Sequence, residues 1–123
     1  MYAAGNPHFT IDIFNGEQIV VIHTKKGLND FVRENWPDDH ESQSSYRNPW
    51  EETDGAMCRD GNWYFMFVRK KSHRLIAHES VHCAVYMMQK RGIPLTVENQ
   101  EILAYLTDYA FSEACRIVGL GVK

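Results

Sequence analysis

The run Trp63-Tyr64-Phe65-Met66-Phe67-Val68 constrains this chain more than any other stretch, because every position in it is bulky and apolar. Aromatic residues favour a strand, and successive strand side chains point to opposite faces of a sheet. A strand with no polar face has to be covered on both sides. The turn before it, Arg59-Asp60-Gly61-Asn62, contains an Asp-Gly pair and makes Ala56-Met57-Cys58 its hairpin partner. Lying beside the helix that follows, such a strand is also where an extended peptide could pair through its backbone.

An earlier hairpin is written the same way. Phe9, Ile11 and Ile13 alternate with Thr10 and Asp12, Asn15-Gly16 supplies the turn, and Ile19 to Ile22 return. Leu28 to Asn35 then reads as a short helix with Leu28, Phe31, Val32 and Trp36 on one side, stopped by Pro37. From Pro37 to Gly55 the chain turns polar, with Asp38, Asp39, His40, Glu41, a Ser-Gln-Ser-Ser run, Asn48-Pro49 and Glu51-Glu52. That composition predicts a long irregular loop, a lid or a connector, with Tyr46 and Trp50 anchoring it on the body in preference to lining a substrate groove. Asp39 and His40 read as exposed loop residues rather than a metal pair.

Two helices close the chain. His73 to Arg91 ends at Gly92 with Pro94 beyond, a helix stop. Ala77, Val81, Ala84, Val85 and Met88 form its expected core stripe, and His78, Glu79, His82, Tyr86 and Gln89 the adjoining one. After Pro94, Thr96 is the expected N-cap of a helix running to about Ile117. Leu103, Leu106, Ala110, Ala114 and Ile117 face the core, and Glu101, Ala104, Tyr105, Asp108 and Ser112 share a second face. The short turn makes the two helices antiparallel neighbours. The fold class is therefore α+β: two β-hairpins forming a small sheet packed on these two helices, in a single domain, 1–123.

Composition narrows the function. A formal net charge of -3 and a pI near 6.0 give no reason to expect nucleic acid or an anionic membrane as partner. Met1 to Phe9 has neither the basic start nor the apolar run of a signal peptide. Three cysteines, Cys58, Cys83 and Cys115, at unpatterned spacings argue against a disulfide framework and for a reducing cytoplasm. The oligomeric state is not legible.

The chemistry sits in His78-Glu79-Ser80-Val81-His82. Residues four apart on a helix lie one above the other, so both imidazoles can reach one cation, while Glu79 is offset toward a water beside it. That is the H-E-x-x-H arrangement of zinc-dependent hydrolysis, with Glu79 as general base. Taken alone, the same residues would be ordinary helix histidines and a surface acid. The next helix supplies the context: Glu101 near its start is the preferred third ligand, leaving a fourth position for water. Glu98, Asp108 and a Cys58 thiolate compete for that place. Asp108 suits a partner to the far nitrogen of a ligand histidine. Tyr105, Tyr109, Tyr86 and His73 are candidate oxyanion donors, Tyr105 first because it lies one turn from Glu101.

His78-Glu79-Ser80-Val81-His82 followed by Glu101-Ile102-Leu103-Ala104-Tyr105 resembles the gluzincin branch of the zincin metallopeptidases, where H-E-x-x-H is completed by a glutamate in an E-x-x-A motif on a later helix. It is more loosely similar to short zincin-like proteins of tailed bacteriophages, and the likeness covers about the last 50 residues. The resemblance implies Zn2+ held by His78, His82 and Glu101, Glu79 as the base, and a peptide or protein substrate. It also implies a cytoplasmic setting, that of a bacterial host if the protein is phage-encoded. The alternative is a non-catalytic zincin-fold module in which a metal ties two helices together.

Overall fold

The computed structural model describes residues 3–11, 16–61 and 63–121. Four strands form one mixed sheet: β1 (His8–Ile11), β2 (Glu17–Ile22), β3 (Gly55–Asp60) and β4 (Trp63–Val68), in the spatial order β1-β2-β4-β3. Both expected hairpins form, β1 pairing antiparallel with β2 and β3 with β4. They join through a parallel pairing of β2 with β4, in which Ile19 faces Tyr64 and Ile22 faces Phe67. Asp12, Ile13 and Asn15 of the first hairpin, and Asn62 of the second, lie outside the described residues.

The apolar run in β4 is covered on both faces. Tyr64, Met66 and Val68 pack with Ile19 and Val21 against the two C-terminal helices. Phe65 and Phe67 pack with Val20 and Ile22 against the two helices that follow β2. The result is three layers, helices on either side of a sheet whose two central strands have no exposed face. Because β4 is hydrogen-bonded on both edges, it cannot receive an extended peptide. The free edge on that side of the sheet is β3, which packs beside the motif helix.

The chain from β2 to β3 corrects the expected loop. Helix α1 (Lys25–Asn35) is capped by Thr24, and a further helix, α2 (His40–Glu52), occupies most of the Pro37 to Gly55 stretch. Asp39 is its N-cap, accepting from the Ser42 amide at 3.1 Å and the Ser42 hydroxyl at 2.6 Å. Buried Gln43 donates to the Trp36 carbonyl at 2.6 Å and accepts from Arg47 at 2.9 Å. The Tyr46 ring stacks on Trp36 with centroids 4.7 Å apart, and Trp50 is buried. Both aromatics anchor, as their composition suggested. Pro49 sits inside the last turns, where it removes a single backbone donor.

Helix α3 (His73–Lys90) and helix α4 (Gln100–Val118) cover the other face. At the end of α3, Gly92 takes φ +69, its amide bonds Gln89 O at 3.1 Å, and the Ile93 amide bonds Met88 O at 2.9 Å. This left-handed residue stops the helix and satisfies its last carbonyls. A 3-10 turn, Val97–Asn99, precedes α4, so Asn99 rather than Thr96 stands at its N-cap. Along α4 the buried residues are Leu106, Ala110, Ala114, Cys115 and Val118. Among the described residues, no helix is long and apolar enough to cross a membrane.

A candidate metal centre on helix α3

Helix α3 packs against both the sheet and its neighbour α4, so two of its sides are covered. Its buried residues are Ile76, Glu79, Ser80, Cys83, Ala84, Met87 and Met88. Ala77 and Val81, expected in the core stripe, are exposed instead and border an open groove against α4. The polar members Glu79 and Ser80 disguised the true inner face. Ser80 is accommodated there by donating to the Ile76 carbonyl at 2.7 Å.

Ser72 caps the helix, accepting from the Leu75 amide at 3.0 Å, and fixes its start against β3. One and a half turns on, His78 and His82 project into solvent while Glu79 is only 4% exposed. The Nε2 atoms of the two histidines are 3.3 Å apart, with ring planes at 72°. One ligand atom each from His78, Glu79 and His82 lie within 4.8 Å of one another. Two nitrogens on a tetrahedral zinc, at Zn–N distances of about 2.0–2.1 Å, stand about 3.3–3.4 Å apart. The pair is therefore already spaced as one edge of that tetrahedron, and the residues present fit the ion.

Burial pushes the Glu79 carboxyl above its ordinary range, and the neighbouring His78 and His82 charges pull it partly back. Among the described residues no Lys or Arg pairs with it. A carboxylate so placed is more basic than a solvated one, which suits a proton acceptor.

The remaining candidates scatter. Glu101 stands exposed in the first turn of α4, outside the group formed by His78, Glu79 and His82. Glu98 is exposed in the preceding 3-10 turn. Asp108 borders the groove between α3 and α4, across from Ala77 and Val81. Cys58 packs with the α1–α2 side of the sheet, whereas its neighbour Met57 packs with the α3–α4 side. Strand alternation thus turns Cys58 away from the histidines. Burial also pushes its thiol up to about 12, with the Asp60 charge adding to the effect.

Of the proposed oxyanion donors, Tyr105 is half exposed and stacks on Tyr109, whose ring meets Phe9 of β1. That contact belongs to the flank of α4 facing β1. His73 bonds the carbonyl of Gly121 and lies against Phe111. Tyr86 stacks on His82 with centroids 6.5 Å apart.

A feature not read from the sequence lies on the other side of the motif. The start of β3 and the first turns of α3 border an open cavity of about 570 Å³, lined among others by Asp54, Gly55, Lys70, Arg74, His78 and Glu79. Its signal was the basic segment Arg69-Lys70-Lys71-Ser72-His73-Arg74 directly before the motif. Compared with known proteins, the chain matches no family model, no curated protein and no solved structure.

Proposed function

We propose that this protein is a small zinc-dependent peptidase of gluzincin type, with His78 and His82 as metal ligands, Glu101 as the third, and Glu79 as general base. The observation that carries the reading is the 3.3 Å separation of the two Nε2 atoms, with a buried carboxylate beside them. Zinc bound there would polarise a scissile carbonyl and acidify water. Glu79, raised in basicity by burial, accepts the proton from the attacking water and passes it to the departing amine. A neutral phenol supplies a hydrogen bond to the developing oxyanion: Tyr105 by its place in the E-x-x-A-Y segment, or Tyr86 by its contact with His82. The extended substrate pairs with the free edge of β3. The three cysteines are unpaired, which suits the reducing cytoplasm this reading assigns to the protein.

The competing reading keeps the metal and drops the hydrolysis. Elemental analysis of the purified chain and of His82→Ala, combined with a peptide-library digest by wild type and Glu79→Gln, separates them. A peptidase binds one zinc that His82→Ala loses, and Glu79→Gln keeps the zinc while losing cleavage by about 10²–10⁴-fold. Zinc without cleavage in the wild type leaves a structural module; no zinc ends both readings.

A further inference from the structure

We propose that the cavity between β3 and the start of α3 binds a carboxylate of the substrate, so that the site acts on peptides carrying a negative charge close to the scissile bond. This rests on the peptidase reading, since the cavity and the candidate metal centre share His78 and Glu79 as walls.

Three sources of positive potential converge there. Lys70 and Arg74 border the cavity, both exposed, and neither forms an ion pair among the described residues. The third is the N-terminus of α3, an 18-residue helix. Ser72 takes the Leu75 amide and Ile76 N bonds Ser72 O, so among the described residues the amides of His73 and Arg74 carry no hydrogen bond, and of these two residues only Arg74 borders the cavity. Such an end favours an anion through both its donors and its dipole.

Two carboxylates also border the cavity, Asp54 and Glu79, and neither faces it as a free surface charge. Asp54 is held by Arg69 at 3.0 Å, and its carbonyl accepts from the Arg69 and Lys70 amides at 2.9 and 3.0 Å. Glu79, the other acid on the wall, is only 4% exposed. In a chain of net charge -3, four of the thirteen lysines and arginines fall between Arg69 and Arg74. Two of these four, Lys70 and Arg74, border the cavity, while Arg69 is paired with Asp54. A volume of about 570 Å³ accommodates a side chain or a chain terminus but no second folded domain. A carboxylate can come from either source, an acidic side chain or a free C-terminus, and the cations meet both alike.

The test uses the metal-free full chain, so that binding is read without hydrolysis. Three acetylated, alanine-rich hexapeptides of otherwise identical sequence serve as probes: one with a single glutamate and an amidated end, one neutral with a free C-terminus, one neutral and amidated. Binding is followed by the amide resonances of Gly55, Ser72 and Leu75. At least one charged peptide is expected to bind about five- to tenfold more tightly than the neutral one, with the preference lost in Lys70→Gln/Arg74→Gln and in high salt. The charged peptide that is preferred identifies the source of the carboxylate. Equal binding of all three, or a preference that survives the double substitution, overturns the proposal. Absence of zinc from the wild-type protein would instead remove the peptidase reading and leave this binding result standing.

Discussion

The Nε2 atoms of His78 and His82 face each other at 3.3 Å across one turn of α3. The helix sets that spacing, since residues four apart are surface neighbours. Tyr86, a further turn on, stacks loosely on the second ring, with centroids 6.5 Å apart. A site spaced in this way loses little side-chain freedom when it captures an ion.

Zinc should therefore stabilise the fold as a ligand of the native state. At a free concentration one hundred times the dissociation constant the gain is about 2.7 kcal/mol. For a domain of this size that is a rise in Tm of about 10 °C. Calorimetry with and without zinc checks it, and His82→Ala should show no rise.

Alkaline pH should weaken the fold before any backbone chemistry intervenes. Burial pushes the thiols of Cys83 and Cys58 up to about 12, helped by the charges of Glu17 and Asp60 respectively. Burial, with Glu17 beside it, does the same to the Tyr64 phenol. In the unfolded chain these groups ionise at their ordinary values, near 9 for a thiol and 10 for a phenol. A raised acid keeps its contribution below the unfolded pKa and loses it as pH climbs toward the folded one. Stability should fall between about pH 9 and 12, by at most about 1.4 kcal/mol per pH unit for each group. Urea titrations across that range test this, and Cys83→Ala should flatten the slope despite a lower starting stability.

Close approach of β3 to α3 depends on Gly55. A Cβ there would stand 2.6 Å from the Phe67 carbonyl oxygen and 2.8 Å from the Leu75 Cδ2 atom. Leucine can turn aside, but a strand carbonyl cannot. Gly55→Ala should cost about 1–3 kcal/mol in urea unfolding and, by displacing the cavity wall, weaken binding of the carboxylate probes.

Where local chemistry decided the structure, the sequence could be read. Asp60-Gly61 and the alternation of Phe9 and Ile11 announce the hairpins, and Gly92-Ile93-Pro94 announces the end of α3. The parallel pairing of β2 with β4 joins residues about forty-five positions apart, and only packing on both faces selects it. Helix α2 was hidden because Gln43 and Arg47 reach its partners through hydrogen bonds rather than apolar contact, and Asn48-Pro49 mimics a breaker. The register of the second hairpin already turned Cys58 opposite to Met57, so its distance from the histidines was implicit in the strand period. The burial of Glu79 was not implicit, since it depends on the sheet beneath α3.

The ligand contributed by α4 is decided by comparing two acids on one helix face. Glu101 carries the E-x-x-A position but stands outside the group formed by His78, Glu79 and His82, while Asp108 borders the groove beside Val81. Losing an outer partner of a ligand histidine costs about 10–100-fold in metal affinity. Losing a direct ligand should cost more, because the ion is left with an incomplete set of protein donors. If Glu101 binds the metal, Glu101→Gln should weaken zinc beyond that range and Asp108→Asn should stay within it, as read by competition with a chelator of known affinity. The reverse ranking would assign the third ligand to Asp108, two turns further along α4, and would detach this chain from the E-x-x-A pattern while leaving the histidine pair in place.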